Sequence, residues 1–270
     1  SAAANLAASL TIQLGPSPAA EDVYKTLKPT LLCGLLDSAN SDKARSAMAN
    51  SLGLICFLAG GEMAEVLAIL SVMEKLFTQE GEILATAAVS SWSLLLTMIP
   101  SDRGFSLLES TLEPLSNLLK SPDVDLRIAT GEAIAVLFEV SLEHDEDATF
   151  SSLDELCDDL RHLATDSNKH RSKKDRKEQR SSFRDILKTI EEGTDYYEKL
   201  SLSSRESLVL DSWASKKQYE SICKVLLSGV NLHMTENELI RDIFDLGAPL
   251  PILSAHNMNK PSKYEKVIKF

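Results

Sequence analysis

From Tyr24 to about Leu142 the apolar residues recur at helical spacing, interrupted by Gly, Pro, Ser and Asp. Leu31, Leu32, Leu35 and Leu36 form one stripe, and Ala47, Leu52, Ile55, Cys56 and Leu58 mark the helix after it. Leu67, Leu70, Met73, Leu76 and Phe77 precede Ala85, Ala88, Trp92, Leu95 and Leu96. A third pair runs through Leu112, Leu115, Leu118 and Leu119, then Ile128, Ala129, Ile134, Leu137 and Phe138. The first and third pairs also share residues. Leu32, Leu35, Leu36, Ser38 and Asp42 recur 83 positions later as Leu115, Leu118, Leu119, Ser121 and Asp125, while Arg45 and Ala47 recur 82 positions later as Arg127 and Ala129. Half that shift, about 41 residues, is the length of one armadillo or HEAT repeat. Three repeats are visible, with Ala3–Leu14 as a candidate helix left from an earlier one. A single repeat cannot bury its apolar face, so neighbours must stack. Arg45 and Arg127 fall at the start of second helices, where an Asp three or two residues earlier is placed to bond both the Arg and free amides. This predicts a structural ladder between repeats.

Farther along, Phe150, Leu153, Leu156, Cys157, Leu160 and Leu163 give another stripe that should cover the last repeat. From about Lys174 helical spacing resumes, and Arg176, Arg180, Phe183, Leu187 and Ile190 lie along a seam that changes from basic to apolar, with Gly193 as its stop. The runs Tyr197–Leu202 and Ser207–Leu210 flank a turn-like Ser203–Glu206 and fit either a β-hairpin or a pair of bent helices. Two helical patterns follow Trp213. One ends near Gly229; the other ends at Gly247, with Thr235 and Glu238 as a capping box. The expected fold is mainly α: armadillo/HEAT-like repeats over 1–166, a basic segment and connecting amphipathic helix over 167–193, a small C-terminal domain over 194–250, and a basic tail over 251–270.

Charge sharpens this picture. The 270 residues carry a net charge of −12. Between Arg127 and Arg161 there is no Lys or Arg, while Glu132, Glu139, Glu143, Asp145, Glu146, Asp147, Asp154, Glu155, Asp158 and Asp159 accumulate; they are expected to face solvent. Then Lys169, Arg171, Lys173, Lys174, Arg176, Lys177, Arg180 and Arg184, against Asp175 and Glu178, give 8 − 2 = +6, leaving −18 for the rest. Such asymmetry speaks of partners. Cations on a helix suit phosphate backbones. Pairing with the acids of 143–159 and nuclear import are the alternatives. No aromatic residue interrupts the run between Asn168 and Ser182, which disfavours base stacking and favours recognition of folded RNA by shape and backbone.

The four cysteines are scattered through apolar patterns, as in a reduced, intracellular protein. No run of about 18 apolar residues exists to span a bilayer, so no membrane is expected as a partner. The sequence opens on Ser without Met, as expected of one that begins inside a longer chain. The five histidines lack metal-ligand spacing, and no phosphate loop, nucleophile elbow or HExxH motif occurs. Neither an enzyme, a small-molecule substrate, a cofactor nor a metal is expected.

The segment KKDRKEQRSSFRDIL (Lys173–Leu187), the later Asp211, Ser212 and Trp213, NELIRDIFDLGAP (Asn237–Pro249) and SDKARSAMANSLGLICF (Ser41–Phe57) resemble the interferon-related developmental regulator family. The resemblance runs through nearly the whole chain in the same order. It implies an all-helical repeat domain, a small C-terminal region, and two kinds of role. One is translational control by occupying the ribosome near its transfer-RNA and messenger-RNA path. The other is co-regulation of transcription through partner proteins. Members continue into a long basic extension; here Lys260, Lys263, Lys266 and Lys269 stand at three-residue spacing before Phe270. The leading expectation is a cytoplasmic, non-catalytic factor that restrains translation. Arg171, Lys173, Lys174, Arg176, Lys177, Arg180 and Arg184, with the four tail lysines, would hold ribosomal RNA, and ribosomal proteins would adjoin. The rival is a nuclear scaffold that binds transcription-regulator proteins.

Overall fold

The computed structural model describes residues 2–60, 62–142, 153–166 and 172–250. Helix α1 (Ala2–Leu14) is followed by the pairs α2 (Pro18–Leu36) with α3 (Asp42–Ala59), α4 (Met63–Gln79) with α5 (Glu82–Leu96), α6 (Ser101–Leu118) with α7 (Val124–Leu142), and α8 (Leu153–Thr165) with α9 (Lys173–Glu192). The second helices α3, α5, α7 and α9 stack in that order. Beyond α9 come the strands β1 (Glu198–Ser201) and β2 (Ser207–Leu210), an antiparallel hairpin in which Lys199 opposes Val209. Helices α10 (Trp213–Leu226), α11 (Val230–Glu236) and α12 (Glu238–Ile243) follow. Among the described residues no helix is long and apolar enough to cross a membrane.

The pairing follows from local signals. Ser41 caps α3 by accepting from the Ala44 amide at 3.3 Å, and Pro18 opens α2 where its missing amide costs nothing. The middle second helices α5 and α7 are buried on nearly every side, because α10 crosses α3, α5 and α7 over the row. Small residues set the spacing: a Cβ on Gly53 would lie 2.8 Å from Ser91 Cβ, and Ser91 Oγ donates to the Ala49 carbonyl at 3.0 Å.

The arginine ladder is present with other partners than the sequence suggests. Arg45 donates to the Leu35 carbonyl at 2.8 Å and forks onto Glu80 at 2.7 and 3.1 Å, so one guanidinium joins the ends of α2 and α4. Asp42 stands off at 3.8 Å. The Glu80 carboxyl is held below its ordinary value by these bonds from Arg45. Arg127 donates to the Ser121 carbonyl and to Gln179 Oε1 on α9. The cap there is Asp123, which accepts from the Leu126 amide at 2.8 Å, in place of Asp125. Two further expectations are corrected. Asn237, not Thr235, caps α12, accepting from the Ile240 amide at 3.1 Å, while the Thr235 hydroxyl bonds back to α11 carbonyls. And two of the acids expected in solvent, Glu132 and Glu139, lie inward: Glu132 is 8 % exposed and both serve α10. Asp154, Glu155 and Asp158 do face outward; Glu143, Asp145, Glu146, Asp147 and Phe150 lie outside the described residues.

Candidate nucleic-acid interface

Helix α9 begins at Ser172, whose side chain accepts from the Asp175 amide at 3.0 Å, and ends at Gly193 in the left-handed region with φ 62°. Its buried residues are Gln179, Phe183, Ile186 and Thr189. Phe183 is buried as the sequence reading has it, while Gln179, Ile186 and Thr189 complete the inner line and Arg176, Arg180, Leu187 and Ile190 are half-buried beside it. Gln179 takes the buried place because its amide is fully engaged, accepting from Arg127 at 2.5 and 3.2 Å and donating to the Leu163 carbonyl of α8 at 3.2 Å. Phe183 and Ile186 press on α7 at Gly131, where a Cβ would lie 2.7 Å from the Phe183 ring and 2.8 Å from Ile186 Cδ1.

This anchoring turns the other face outward. Lys173, Lys174, Lys177 and Arg184 are exposed, and none forms an ion pair with another described residue. Arg176 and Arg180 donate to backbone carbonyls one turn back, at Ser172 and Arg176. Arg171, Lys260, Lys263, Lys266 and Lys269 lie outside the described residues.

The C-terminal elements are fixed to the repeats by buried charge. Glu139 of α7 accepts from the Trp213 and Ala214 amides at 2.7 and 3.0 Å, so a carboxylate from one helix meets the positive end of another. Lys216 and Lys217 converge on Glu132 at 2.5 and 3.3 Å, and Lys216 also bonds Glu220. Burial alone would raise the Glu132 carboxyl, yet Lys217 and Lys216 hold it well below its ordinary value. Burial would likewise lower the Lys216 ammonium, and Glu132 and Glu220 raise it instead. The motif from Asn237 to Pro249 is built around Arg241, 1 % exposed. Its guanidinium donates to the carbonyls of Met234, Thr235, Leu246, Gly247 and Ala248 at 2.8 to 3.4 Å and forks onto Glu206 of the hairpin turn at 2.7 and 3.1 Å. That motif is a structural latch.

Sequence reasoning missed Gln179, Glu132, Glu139 and Arg241. One signal was present: Glu132 and Glu139 stand seven residues apart, on one face of an otherwise apolar helix, a pattern that calls for buried partners.

Comparison with known proteins finds relatives along most of the chain. A family model described as Interferon-related developmental regulator (IFRD) matches residues 1–191, and one described as Interferon-related protein conserved region matches residues 237–269. The mouse protein named Interferon-related developmental regulator 2 is 40 % identical over 273 residues, covering 95 % of this chain and 62 % of its own. The pig and human proteins named Interferon-related developmental regulator 1 are each 36 % identical over 281 residues, covering 98 % of this chain and 62 % of theirs. The chain thus spans about three fifths of the length of these curated relatives.

Proposed function

The chain belongs to the interferon-related developmental regulator family, and from that premise we propose that it is a non-catalytic factor that binds the ribosome and restrains translation by occupying a functional RNA channel or transfer-RNA site. The observation that carries this reading is the outer face of α9. Lys173, Lys174, Lys177 and Arg184 project from a helix whose other side is locked to α7 and α8, inside a chain of net −12. A cationic face held rigid against an acidic body excludes nonspecific attraction by the rest of the surface and directs phosphates to one place. The rival scaffold reading needs an open row of second helices for a peptide, and α10 of the same chain crosses that row.

Sedimentation tests the proposal. In sucrose gradients of cell extract the full chain should travel with ribosomes or their subunits, and the association should weaken by about a hundredfold between about 50 and 200 mM salt if about four phosphates are contacted. The variant K173E/K174E/K177E keeps good helix formers on exposed positions and should leave those fractions. If it cosediments as fully as the wild type, ribosomal RNA is not held by α9. If the wild type is absent from ribosomal fractions and enriched in nuclei, the transcriptional scaffold is the better reading.

A further inference from the structure

The left-handed turn at Gly193 sends the chain back along the last turns of α9, and a recess of about 500 Å³ opens between them. Ser181, Asp185 and Lys188 of α9 form one wall; Asp195, Tyr196, Tyr197 and Glu198 form the other. The returning segment is tied down. Thr189 Oγ1 donates to the Thr194 carbonyl at 2.8 Å, and the Trp213 indole donates to Thr189 Oγ1 at 2.8 Å. Tyr196 is committed to the fold, its ring 4.8 Å from that of Trp213 and its hydroxyl donating to Glu198 at 2.8 Å. Tyr197 differs. It is 68 % exposed, and its side chain makes no hydrogen bond or ring contact with a described residue.

The recess lies at the end of a cationic line. Lys177, Ser181, Arg184 and Lys188 are spaced four, three and four residues apart, so they share one face of α9. They cover about 16 Å of helix and lead from the basic half to the recess wall. Between Asn168 and Ser182 the basic run contains no aromatic residue, and Phe183 beyond it is buried; the fold supplies an exposed one at the end of α9.

We propose that this recess receives one unpaired guanine base from an RNA whose backbone lies on the Lys177–Arg184–Lys188 face, an inference that rests on the RNA reading of α9. Tyr197 provides the stacking platform, since every base has a π-face and an exposed phenol ring can be covered on one side. The carboxylates decide what enters. Asp185, Asp195 and Glu198 repel phosphate, so the backbone stays on the lysine and arginine face and only a neutral base goes in. Asp185 has no hydrogen-bond or ion-pair partner among the described residues, and burial raises its carboxyl despite Lys188, Lys216 and Arg184 nearby. A guanine edge offers adjacent N1–H and N2–H donors, which a carboxylate accepts as a pair; adenine, cytosine and uracil each offer fewer adjacent donors toward one carboxylate. The favoured RNA is therefore a duplex or folded element with an extrahelical guanine, in keeping with the way proteins read splayed bases.

Fluorescence anisotropy with the full chain and three labelled stem-loop RNAs tests this: one fully paired, one with an extrahelical guanine, one with an extrahelical adenine. The guanine stem should bind about tenfold tighter than the paired stem. Tyr197→Ala should remove that gain while leaving affinity for the paired stem unchanged, and Tyr197→Phe should keep it. Asp185→Asn should erase the preference for guanine over adenine. Equal binding of the guanine and paired stems by the wild type, or an unaffected gain in Tyr197→Ala, overturns the proposal alone. If the paired stem shows no salt-dependent binding and K173E/K174E/K177E binds it no more weakly, the RNA reading of α9 falls and takes this inference with it.

Discussion

Arg241 gathers seven acceptors that no other residue type could serve at once. Five are carbonyls left open where α11 and α12 end, and two are the oxygens of Glu206, reached from the opposite side of the turn. The bonds from Arg241 in turn hold the Glu206 carboxyl below its ordinary value. Lysine would bring one point charge and three donors in place of a planar fork of five. Arg241→Lys should therefore destabilise the fold by about 3–5 kcal/mol in urea denaturation, as expected when a buried pair loses its geometry. The double change Arg241→Met with Glu206→Leu should cost less than Arg241→Met alone, because it leaves no carboxylate stranded. A loss under about 1 kcal/mol for Arg241→Lys would mean that water serves those carbonyls as well as the guanidinium does.

At the scale of elements, the contact between α7 and α9 decides where the basic face points. Gly131 sits where the Phe183 ring and Ile186 Cδ1 leave no room for a Cβ. Gly131→Val should overpack this contact, at a cost of about 1–3 kcal/mol, and should shift α9 against the repeats. Thermal denaturation reads the first effect; weaker ribosome cosedimentation at unchanged net charge reads the second. Much at this scale is legible in sequence. The helix pairs, the hairpin, the Gly193 stop and the arginine ladder all rest on short-range periodicity or on a residue type suited to one backbone state. What escaped was the polar residue inside an apolar seam. Gln179 looks like solvent surface in any periodicity count, because nothing in its neighbourhood shows that Arg127, 52 positions earlier, needs an acceptor. The Thr235 capping box is not formed because Asn237, two residues on, takes the cap, and its amide also donates to the Ile12 carbonyl at 3.0 Å.

Across the whole molecule, Glu132 and Glu139 tie the C-terminal elements to the middle of the repeats. Their partners lie 74 to 85 residues downstream, beyond any pattern that local sequence carries. The pH dependence follows in sign. Glu132 has a folded pKa below its ordinary 4.5, so its stabilisation is complete above about pH 4.5 and is lost as pH falls through the folded value. Lys216 has a folded pKa above its ordinary 10.5, so its contribution is complete below about pH 10.5 and is lost as pH rises beyond it. Glu132→Gln should weaken the fold near neutrality, and its deficit relative to wild type should shrink below about pH 4.5. Urea denaturation of both proteins between pH 7 and pH 3 measures this; a constant gap would show that Glu132 does not carry the acid limb. The order of synthesis gives the same clasp another meaning. The 85 positions separating Glu132 from Lys217 take about 4 to 17 s to translate at about 5–20 residues per second. Until Lys216 and Lys217 are made, Glu132 lacks the two ammonium groups that hold it in the closed fold. The clasp of α10 on the repeats therefore closes only after Lys217 has been added to the chain.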